Sequence, residues 1–230
     1  MITDESFVDF KCPFCGEQVS FPGDCAGLVR ECLNCLEILI VPKAGGELGH
    51  RLPIPITTAT LRLRRFDSDD LPSLLELWSG SEEEAVQWLE RDRKCRLTTL
   101  NETLSLGVEL RECRRIIGSL GLRFTDAEFR EAMVSDSWIE KEYDAELATR
   151  AIRALLGCCF RELGLHRVIT SCTSSNVTAC HLYEQAGLRR EGEFVKNSFM
   201  NGEWLNTTWF AMLDEEYREA EADQRGGTAA

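Results

Sequence analysis

Apolar and polar positions alternate with two different periods along this chain. From residue 145 to 163, apolar side chains recur every three or four positions, which predicts an amphipathic helix. Residues 130–139 before it and 166–172 after it are rich in apolar and β-branched side chains and predict strands. A further helix is predicted over residues 176–186, ended by Gly187. Two strands that each lead into a helix favour parallel pairing, with a ligand cleft at the strand ends.

The rest of the pattern predicts further strands and two short helices. Strands are expected at residues 61–66, 104–112, 115–124, 194–199 and 204–213. Helices are expected at residues 71–78 and from Ser81 onward, where Ser81 and Glu84 have the spacing of a capping box. Asn201 and Gly202 form the strongest short turn signal in the chain, and they predict a hairpin between the last two strands.

Two cysteine pairs near the amino terminus have the spacing of a metal site. Cys12 and Cys15 form the first pair, Cys32 and Cys35 form the second, and 16 residues separate the pairs. In four-cysteine zinc sites of this spacing, each turn supplies two thiolates to a tetrahedral ion. Four protein thiolates close the coordination shell, so we expect structural Zn²⁺ in a small zinc ribbon over residues 1–42. The alternatives are four unrelated buried cysteines or a redox-active pair.

Composition and charge narrow the classes of function. The length of 230 residues allows one full domain and a small second unit, and 43% hydrophobic residues are enough to form a core. The net charge of −13 disfavours nucleic-acid binding and favours the attraction of cationic amines. The chain has no long apolar run of the kind that crosses a membrane. The chain has 11 cysteines, an odd number that disfavours a full set of disulfides. Its amino terminus lacks the features of a signal peptide. We therefore expect reduced thiols and a cytoplasmic protein.

The same evidence divides the chain beyond the zinc ribbon into three parts. Residues 43–60 contain several Gly and Pro and are expected to form a linker. Residues 61–217 contain the helices and strands predicted above and are expected to form the main domain. Residues 218–230 are first charged and then rich in Gly and Ala, and we expect this tail to fray.

Three stretches in the second half carry a resemblance to a known family. They are ATRAIRALL at residues 148–156, LGLHRV at 163–168, and the run from Asn176 through YEQAGLRREG at 183–192. In this order and spacing they resemble the GNAT acetyltransferases, in particular the subgroup that acetylates the N-termini of ribosomal proteins. The resemblance covers residues 61–217. It implies an α+β fold with a mixed β-sheet flanked by helices, which the small zinc-ribbon domain precedes.

The resemblance also implies acetyl-CoA as the acyl donor and an amine, for example a protein N-terminus, as the acceptor. In the family, a loop of pattern Gln/Arg-x-x-Gly-x-Gly/Ala wraps the diphosphate of CoA with main-chain N–H groups. Here that loop is residues 143–148, in which Ala148 matches and Glu146 replaces the central glycine. A carboxylate at this position opposes the phosphates, because like charges repel and a Cβ hinders close approach.

Eight positions are implied to bind CoA. They are Trp138, Ile139 and Glu140 near the end of a strand, Glu146, Leu147, Ala148 and Thr149 at the head of the following helix, and Asn176 at the next helix. The first three match the place where main-chain N–H groups hold the thioester carbonyl and the pantetheine arm. Asn176 has the alternative role of a helix N-cap.

Catalytic positions follow from the same resemblance. Tyr183 matches the tyrosine that protonates the leaving CoA thiolate, and a phenol with a pKa near 10 suits a thiol of similar pKa. Its alternative role is packing against the sheet. For the general base, Asp136, Glu131 and Glu203 are candidates by position, and a water relay can replace all three.

Two functions from different classes are therefore predicted. The first is an acetyl-CoA-dependent N-acetyltransferase, supported by Ala148, Asn176 and Tyr183. The second is a scaffold that keeps the fold but binds CoA weakly because of Glu146, with the zinc ribbon as its interaction surface for a protein partner.

Overall fold

A computed structural model describes residues 7–27, 29–35, 37–42, 50–51, 54–77, 80–94, 103–126, 130–139 and 145–226. The strands in this part are β1 (Phe7–Lys11), β2 (Gln18–Pro22), β3 (Val29–Glu31), β4 (Ile38–Ile40), β5 (His50–Arg51), β6 (Ile56–Thr57), β7 (Leu61–Arg64), β8 (Thr103–Leu110), β9 (Ile116–Asp126), β10 (Glu131–Ile139), β11 (Arg167–Thr173), β12 (Arg189–Met200) and β13 (Glu203–Leu213). The α-helices are α1 (Leu71–Leu77), α2 (Glu82–Lys94), α3 (Ala145–Gly157), α4 (Val177–Ala186) and α5 (Asp214–Gly226).

An eight-stranded mixed sheet forms the centre of the fold, in the order β12-β13-β11-β10-β9-β8-β7-β6. Strands β10 and β11 are parallel, as predicted, and the other neighbours described in this sheet are antiparallel. The hairpin of β12 and β13 turns at Asn201 and Gly202, whose φ angles are +51° and +84°. This confirms the predicted turn, because a type I′ hairpin needs positive φ at both central residues.

The main core lies between the sheet and helices α3 and α4. One face of α3 is buried through Ala148, Ala151, Ile152, Leu155 and Leu156, which confirms the amphipathic pattern. The helix is shorter than predicted, since a π-helical turn over Cys158–Glu162 replaces its last turn. In that turn Phe160 stacks on Tyr217 with ring centroids 5.1 Å apart.

Helices α1 and α2 pack around a second, smaller core. It consists of Phe66, Leu74, Leu89 and Ile116, with Trp88 edge-on to Phe66 at 5.1 Å. The predicted capping box at the start of α2 is present, because the side chains of Ser81 and Glu84 each accept a hydrogen bond from the other residue's main-chain N–H.

The region predicted to be a zinc ribbon has its own core and also contacts the main core. Strands β1 and β2 form one hairpin, and β3, β4 and β5 form a three-stranded sheet. Successive side chains of a strand point to opposite faces. Accordingly, Leu39 and Val41 are buried in the ribbon core with Phe10 and Phe21, whereas Ile40 is buried in the main core.

The predicted linker and the predicted tail both contain regular structure. In the predicted linker, Ile56 and Thr57 form edge strand β6, because Ile56 pairs with Leu63 and packs against the main core. In the predicted tail, α5 continues to Gly226. The end of β13 is tied to this helix, since the Leu213 N–H donates to Glu216. No helix in the described part of the chain has the length and apolarity to cross a bilayer.

Candidate functional site

The parallel strands β10 and β11 separate shortly after they meet. Their ladder contains the pairs Glu131–Arg167, Ala132–Val168 and Met133–Ile169, and it ends there in the described residues. One position further on, the buried Thr170 hydroxyl donates to the Val134 carbonyl at 2.9 Å. The Val134 carbonyl thus binds a side-chain hydroxyl of β11 instead of a main-chain N–H of that strand. The β10 main chain beyond Val134 is no longer part of the β11 ladder, which leaves an opening in the sheet at this point.

A bulge shapes β10 at the same level. Ser135 pairs with Gly121 of β9 and Trp138 pairs with Ser119, so three steps along β10 match two along β9. Bulges of this type re-aim the strand next to a site. The main chain at Trp138 and Ile139 is therefore strand, whereas the side chains of both residues and of Asp136 lie outside the described part. Glu140 and the loop positions 141–144 also lie outside it.

The head of α3 follows β10 in the chain. Ala148 and Thr149 are buried here, and the Thr149 hydroxyl donates to the Ala145 carbonyl at 2.8 Å. The Glu146 side chain is 74% exposed, and its Oε1 lies 3.1 Å from an Arg150 guanidinium nitrogen. The carboxylate therefore has a cationic partner one turn further along the helix. The first-turn N–H groups of an α-helix point beyond its N-terminus and attract anions.

Helix α4 positions two further candidates. Asn176 caps the helix, because its Oδ1 accepts a hydrogen bond from the Ala179 N–H at 3.1 Å. Gly187 ends the helix in the left-handed conformation, with φ at +102°. Tyr183 is buried, with its ring centroid 5.5 Å from that of Phe210. Packing against the sheet is thus one role of this tyrosine, and Tyr183 lies two helical turns beyond Asn176.

The other two candidates for the general base are in different settings. The Glu131 carboxylate accepts hydrogen bonds from Arg167 Nε at 2.9 Å and from the Thr125 hydroxyl at 2.8 Å. Glu203 begins β13 and is exposed beside the hairpin turn. The Glu131 carboxylate, in the first pair of the parallel ladder, is thus occupied by an ion pair.

A cavity of about 520 Å³, which the sequence did not predict, lies on the face of the sheet opposite helices α3 and α4. Its lining includes Ile169, Phe194 and Trp209, together with the carboxylates of Glu191 and Glu193. Ile169 belongs to the last pair of the parallel ladder, so the cavity reaches the point of separation. Its residues come from β11 and from the β12–β13 hairpin, and the sheet order places this hairpin beside β11.

Ion pairs set the charge of this cavity. Arg167 binds Glu191 at 2.5 Å and Glu131 at 2.9 Å. The hydrogen bond from Arg167 lowers the pKa of Glu191 below its ordinary value, and Arg189 adds to this effect. Glu191 is therefore ionised and paired with two guanidinium groups, and Glu193 pairs with Arg190 at 2.9 Å. A cationic amine in this cavity would meet the aromatic rings and would share the carboxylates with these arginines.

The four predicted metal ligands converge in the ribbon. The Sγ atoms of Cys12, Cys15, Cys32 and Cys35 all lie within 4.8 Å of one another. The Cys12–Cys35 and Cys15–Cys32 sulfur distances are 3.7 and 3.9 Å. Sulfurs of a tetrahedral Zn²⁺ site with bonds of ~2.3 Å lie about 3.8 Å apart, so the cluster has the size that zinc needs.

Main-chain groups support this cluster. The N–H groups of Phe14 and Asn34 donate to the sulfurs of Cys12 and Cys32 at 3.4 Å each. Burial opposes ionisation of Cys32, but N–H groups of Cys35 and Asn34 outweigh it and lower the pKa of Cys32 to about 7. Cys25 is buried in the ribbon core without belonging to the cluster, in agreement with a packing role.

Comparison with known proteins points to one family. A model of the acetyltransferase (GNAT) domain matches residues 60–189. The Bacillus subtilis (strain 168) protein YnaD, named as an uncharacterized N-acetyltransferase, is 27% identical over 176 residues, covering 70% of this chain and 98% of YnaD.

Solved structures agree on the fold. A Vibrio cholerae protein assigned as a ribosomal-protein-serine acetyltransferase has a TM-score of 0.61 at 23% identity, covering 70% of this chain and 98% of its own. Mutant forms of the spermidine/spermine N-acetyltransferase SpeG from Vibrio cholerae have a TM-score of 0.58 at 25% identity, covering 70% and 98% of the two chains.

Proposed function

Because the chain belongs to the GNAT family of acetyltransferases, we propose that it transfers an acetyl group from acetyl-CoA to a primary amine. The observation that carries this proposal is the early end of the β10–β11 ladder after Met133 and Ile169. The opening lies in the sheet between two strands, and α3 and α4 begin beyond it. A long thioester substrate can enter such an opening and add hydrogen bonds to strand β10.

For this reaction the site must bind the diphosphate of CoA, stabilise an oxyanion, deprotonate the amine and protonate the leaving thiolate. The amine attacks the thioester carbonyl, a tetrahedral oxyanion forms, and its collapse expels the CoA thiolate, which takes up a proton. In our proposal, main-chain N–H groups at Trp138, Ile139 and Glu140 hold the pantetheine arm and the carbonyl oxygen. Residues 146–149 at the head of α3 bind the diphosphate, and Asn176 contacts the arm.

Proton transfers complete the proposal. Tyr183 donates the proton to the leaving thiolate, while its ring remains packed against Phe210. Of the three base candidates, Glu131 is held by Arg167 and Glu203 is exposed at the hairpin turn. We therefore assign deprotonation of the amine to Asp136 or to a water molecule that it orients.

The acceptor amine, in this proposal, approaches through the cavity on the opposite face. The rings of Phe194 and Trp209 enclose its positive charge, and Glu191 and Glu193, already paired with arginines, add a weaker attraction. The two Vibrio cholerae proteins carry names for two acceptors, a ribosomal-protein serine and spermidine/spermine. We favour the protein N-terminus. Turnover of acetyl-CoA with a panel of N-terminal peptides, with spermidine and with free lysine tests this choice, and a preference for spermidine contradicts it.

The scaffold function is the second candidate, and Glu146 favours it. A carboxylate stands where the family places the central glycine of its diphosphate loop. Calorimetric titration with acetyl-CoA separates the two functions. Micromolar affinity supports the enzyme, whereas millimolar or absent binding by folded protein rejects it and leaves the scaffold.

We also propose that Cys12, Cys15, Cys32 and Cys35 bind one structural Zn²⁺, which supplies folding energy to the ribbon. Four thiolates close the shell, so the ion takes no part in acetyl transfer. Phe14 and Leu33 lie inside the two cysteine turns and are exposed, which offers an apolar contact surface to a protein partner. A cytoplasmic location, where acetyl-CoA and reduced thiols occur together, completes the proposal.

A further inference from the structure

Two cysteines outside the zinc cluster face each other between β11 and α4. The Sγ atoms of Cys172 and Cys180 lie 3.5 Å apart, and both side chains are half-buried against the main core. Neither residue has a part in the proposed transfer reaction. We propose that Cys172 and Cys180 form a reversible intramolecular disulfide when the protein meets a hydroperoxide.

The main chain already holds the two thiols in contact. Cys172 is near the end of β11, and Cys180 lies in the first turn of α4. The short connection is fixed by hydrogen bonds from the Asn176 N–H to the Thr173 carbonyl at 2.9 Å and from the Cys180 N–H to the Asn176 carbonyl at 3.1 Å. A disulfide needs an S–S distance of about 2.05 Å, so the sulfurs must approach by about 1.5 Å. Rotation about the Cα–Cβ bonds is the movement that this approach requires.

The two thiols differ in their environment, which gives the order of steps. Burial, together with the neighbouring Cys180, raises the pKa of Cys172 to about 12. At neutral pH Cys172 is thus a thiol, which suits the resolving role better than the first attack on the peroxide. We therefore assign the first reaction to Cys180 and the resolving role to Cys172.

The chemistry balances with the hydroperoxide as the two-electron oxidant. The Cys180 thiolate attacks the outer peroxide oxygen, an S–O bond forms, the O–O bond breaks, and the alkoxide leaves as an alcohol after protonation. Cys172 then attacks the sulfenic sulfur, the S–S bond forms, and the hydroxyl leaves as water with the thiol proton. Two thiols are oxidised and one peroxide is reduced. A dithiol reductant reverses the bond by exchange.

The position of the bond connects it to the active site. The ring closed by the disulfide contains Asn176, which the proposed function places against the CoA arm. We expect the oxidised protein to bind acetyl-CoA more weakly, because the sulfurs draw this turn toward β11. This expectation rests on the proposed function, whereas formation of the bond does not.

Mass spectrometry of the full chain tests the bond directly. Both cysteines lie in one tryptic peptide, residues 168–189. After treatment with hydrogen peroxide and alkylation, this peptide should carry no alkyl group and should weigh two hydrogen atoms less than the dithiol peptide. Reduction with dithiothreitol before alkylation should restore both thiols. Recovery of the peptide with both thiols alkylated, while the exposed Cys113 is oxidised, overturns the proposal.

Variants test which cysteine reacts first, and calorimetry tests the effect of the disulfide on acetyl-CoA binding. With Cys172→Ser, Cys180 should stop at sulfenic or sulfinic acid, whereas with Cys180→Ser, Cys172 should remain a thiol. The matched control Cys113→Ser should form the disulfide as the unaltered protein does. Calorimetry on the oxidised and reduced protein then tests the link to the site: if reduced protein binds acetyl-CoA and oxidised protein binds it equally well, the regulatory part is wrong. Absence of binding in both forms refutes the proposed function and leaves the disulfide to the mass measurement.

Discussion

Replacement of Glu146 by Gln tests whether the diphosphate of CoA lies at the head of α3. Glutamine keeps the length and helix propensity of the side chain and removes its charge. The Glu146 carboxylate is 74% exposed and pairs with Arg150 at 3.1 Å. A like-charge contact at ~4 Å in water costs about 1 kcal/mol, which is roughly a fivefold change in the dissociation constant. We therefore expect Glu146→Gln to tighten acetyl-CoA binding by up to about fivefold.

A charge-matched control is available on the same segment. Glu162 lies 16 residues after Glu146, in the π-helical turn that follows α3. This separation corresponds to about 24 Å along a helix axis, several times the Debye length of ~8 Å at physiological ionic strength. Both substitutions remove one negative charge from the chain, but only the change at Glu146 is expected to alter the affinity.

Calorimetric titration at low and high salt provides the measurement. The gain from Glu146→Gln should shrink as salt is added, because the carboxylate is exposed to screening ions. Equal gains from Glu146→Gln and Glu162→Gln would assign the effect to the overall charge of the molecule. An unchanged affinity at low salt, with the Glu146 variant folded, would show that the diphosphate does not lie beside this carboxylate.

Three further substitutions test the site, the metal and the buried charges. Tyr183→Phe should lower kcat by roughly 10²- to 10⁴-fold with unchanged acetyl-CoA affinity in a thiol-release assay, whereas Tyr217→Phe should leave kcat unchanged. Elemental analysis should find one zinc per chain, and Cys12→Ser should release it; full retention would mean that other ligands hold the ion. Glu109 is 3% exposed and 2.6 Å from Arg64, so Glu109→Ala should reduce the free energy of unfolding by about 3 kcal/mol in urea titrations. A loss below about 1 kcal/mol would show that this pair is screened by water.

Local signals in the sequence were sufficient for much of the fold. The spacing of apolar residues in α3 predicted its buried face, and Gly187 predicted the end of α4. The four cysteines of the ribbon were predicted to converge, because two tight turns of fixed spacing carry most of that geometry. In each case the determining residues lie within a few positions of one another or in a pattern with a fixed period.

The features that were missed depend on contacts between distant residues. Strand β6 has only two residues and is a strand because Ile56 meets Leu63 at the sheet edge. Helix α5 has a charged sequence without a strong apolar face, and the stacking of Tyr217 on Phe160 anchors it. The cavity beside Ile169 likewise combines three strands whose order in the sheet differs from their order in the chain. Such contacts leave no periodic signal.

The alternation of buried side chains at residues 39–41, at the end of β4, places the ribbon against the main core and leads to a last prediction. Leu39 and Val41 are buried in the ribbon core, while Ile40, between them, is buried in the main core. In the proposed zinc-bound ribbon the metal supplies the folding energy, so removal of zinc should release all three side chains together. Burial of one Ile side chain is worth about 2 kcal/mol, and this amount should be lost from the main unfolding transition when a chelator removes the ion.

The matched variant for this prediction is Ile40→Ala. It should lower the free energy of unfolding of the metal-loaded protein by about 2 to 4 kcal/mol, because a buried side chain is truncated. The chelator should then have little further effect on the main transition, since the two perturbations remove the same contact and are not additive. Urea titrations with and without the chelator measure both terms. If the chelator abolishes the ribbon signal of the unaltered protein and leaves its main transition in place, the two cores are independent, and the contact through Ile40 does not transmit stability.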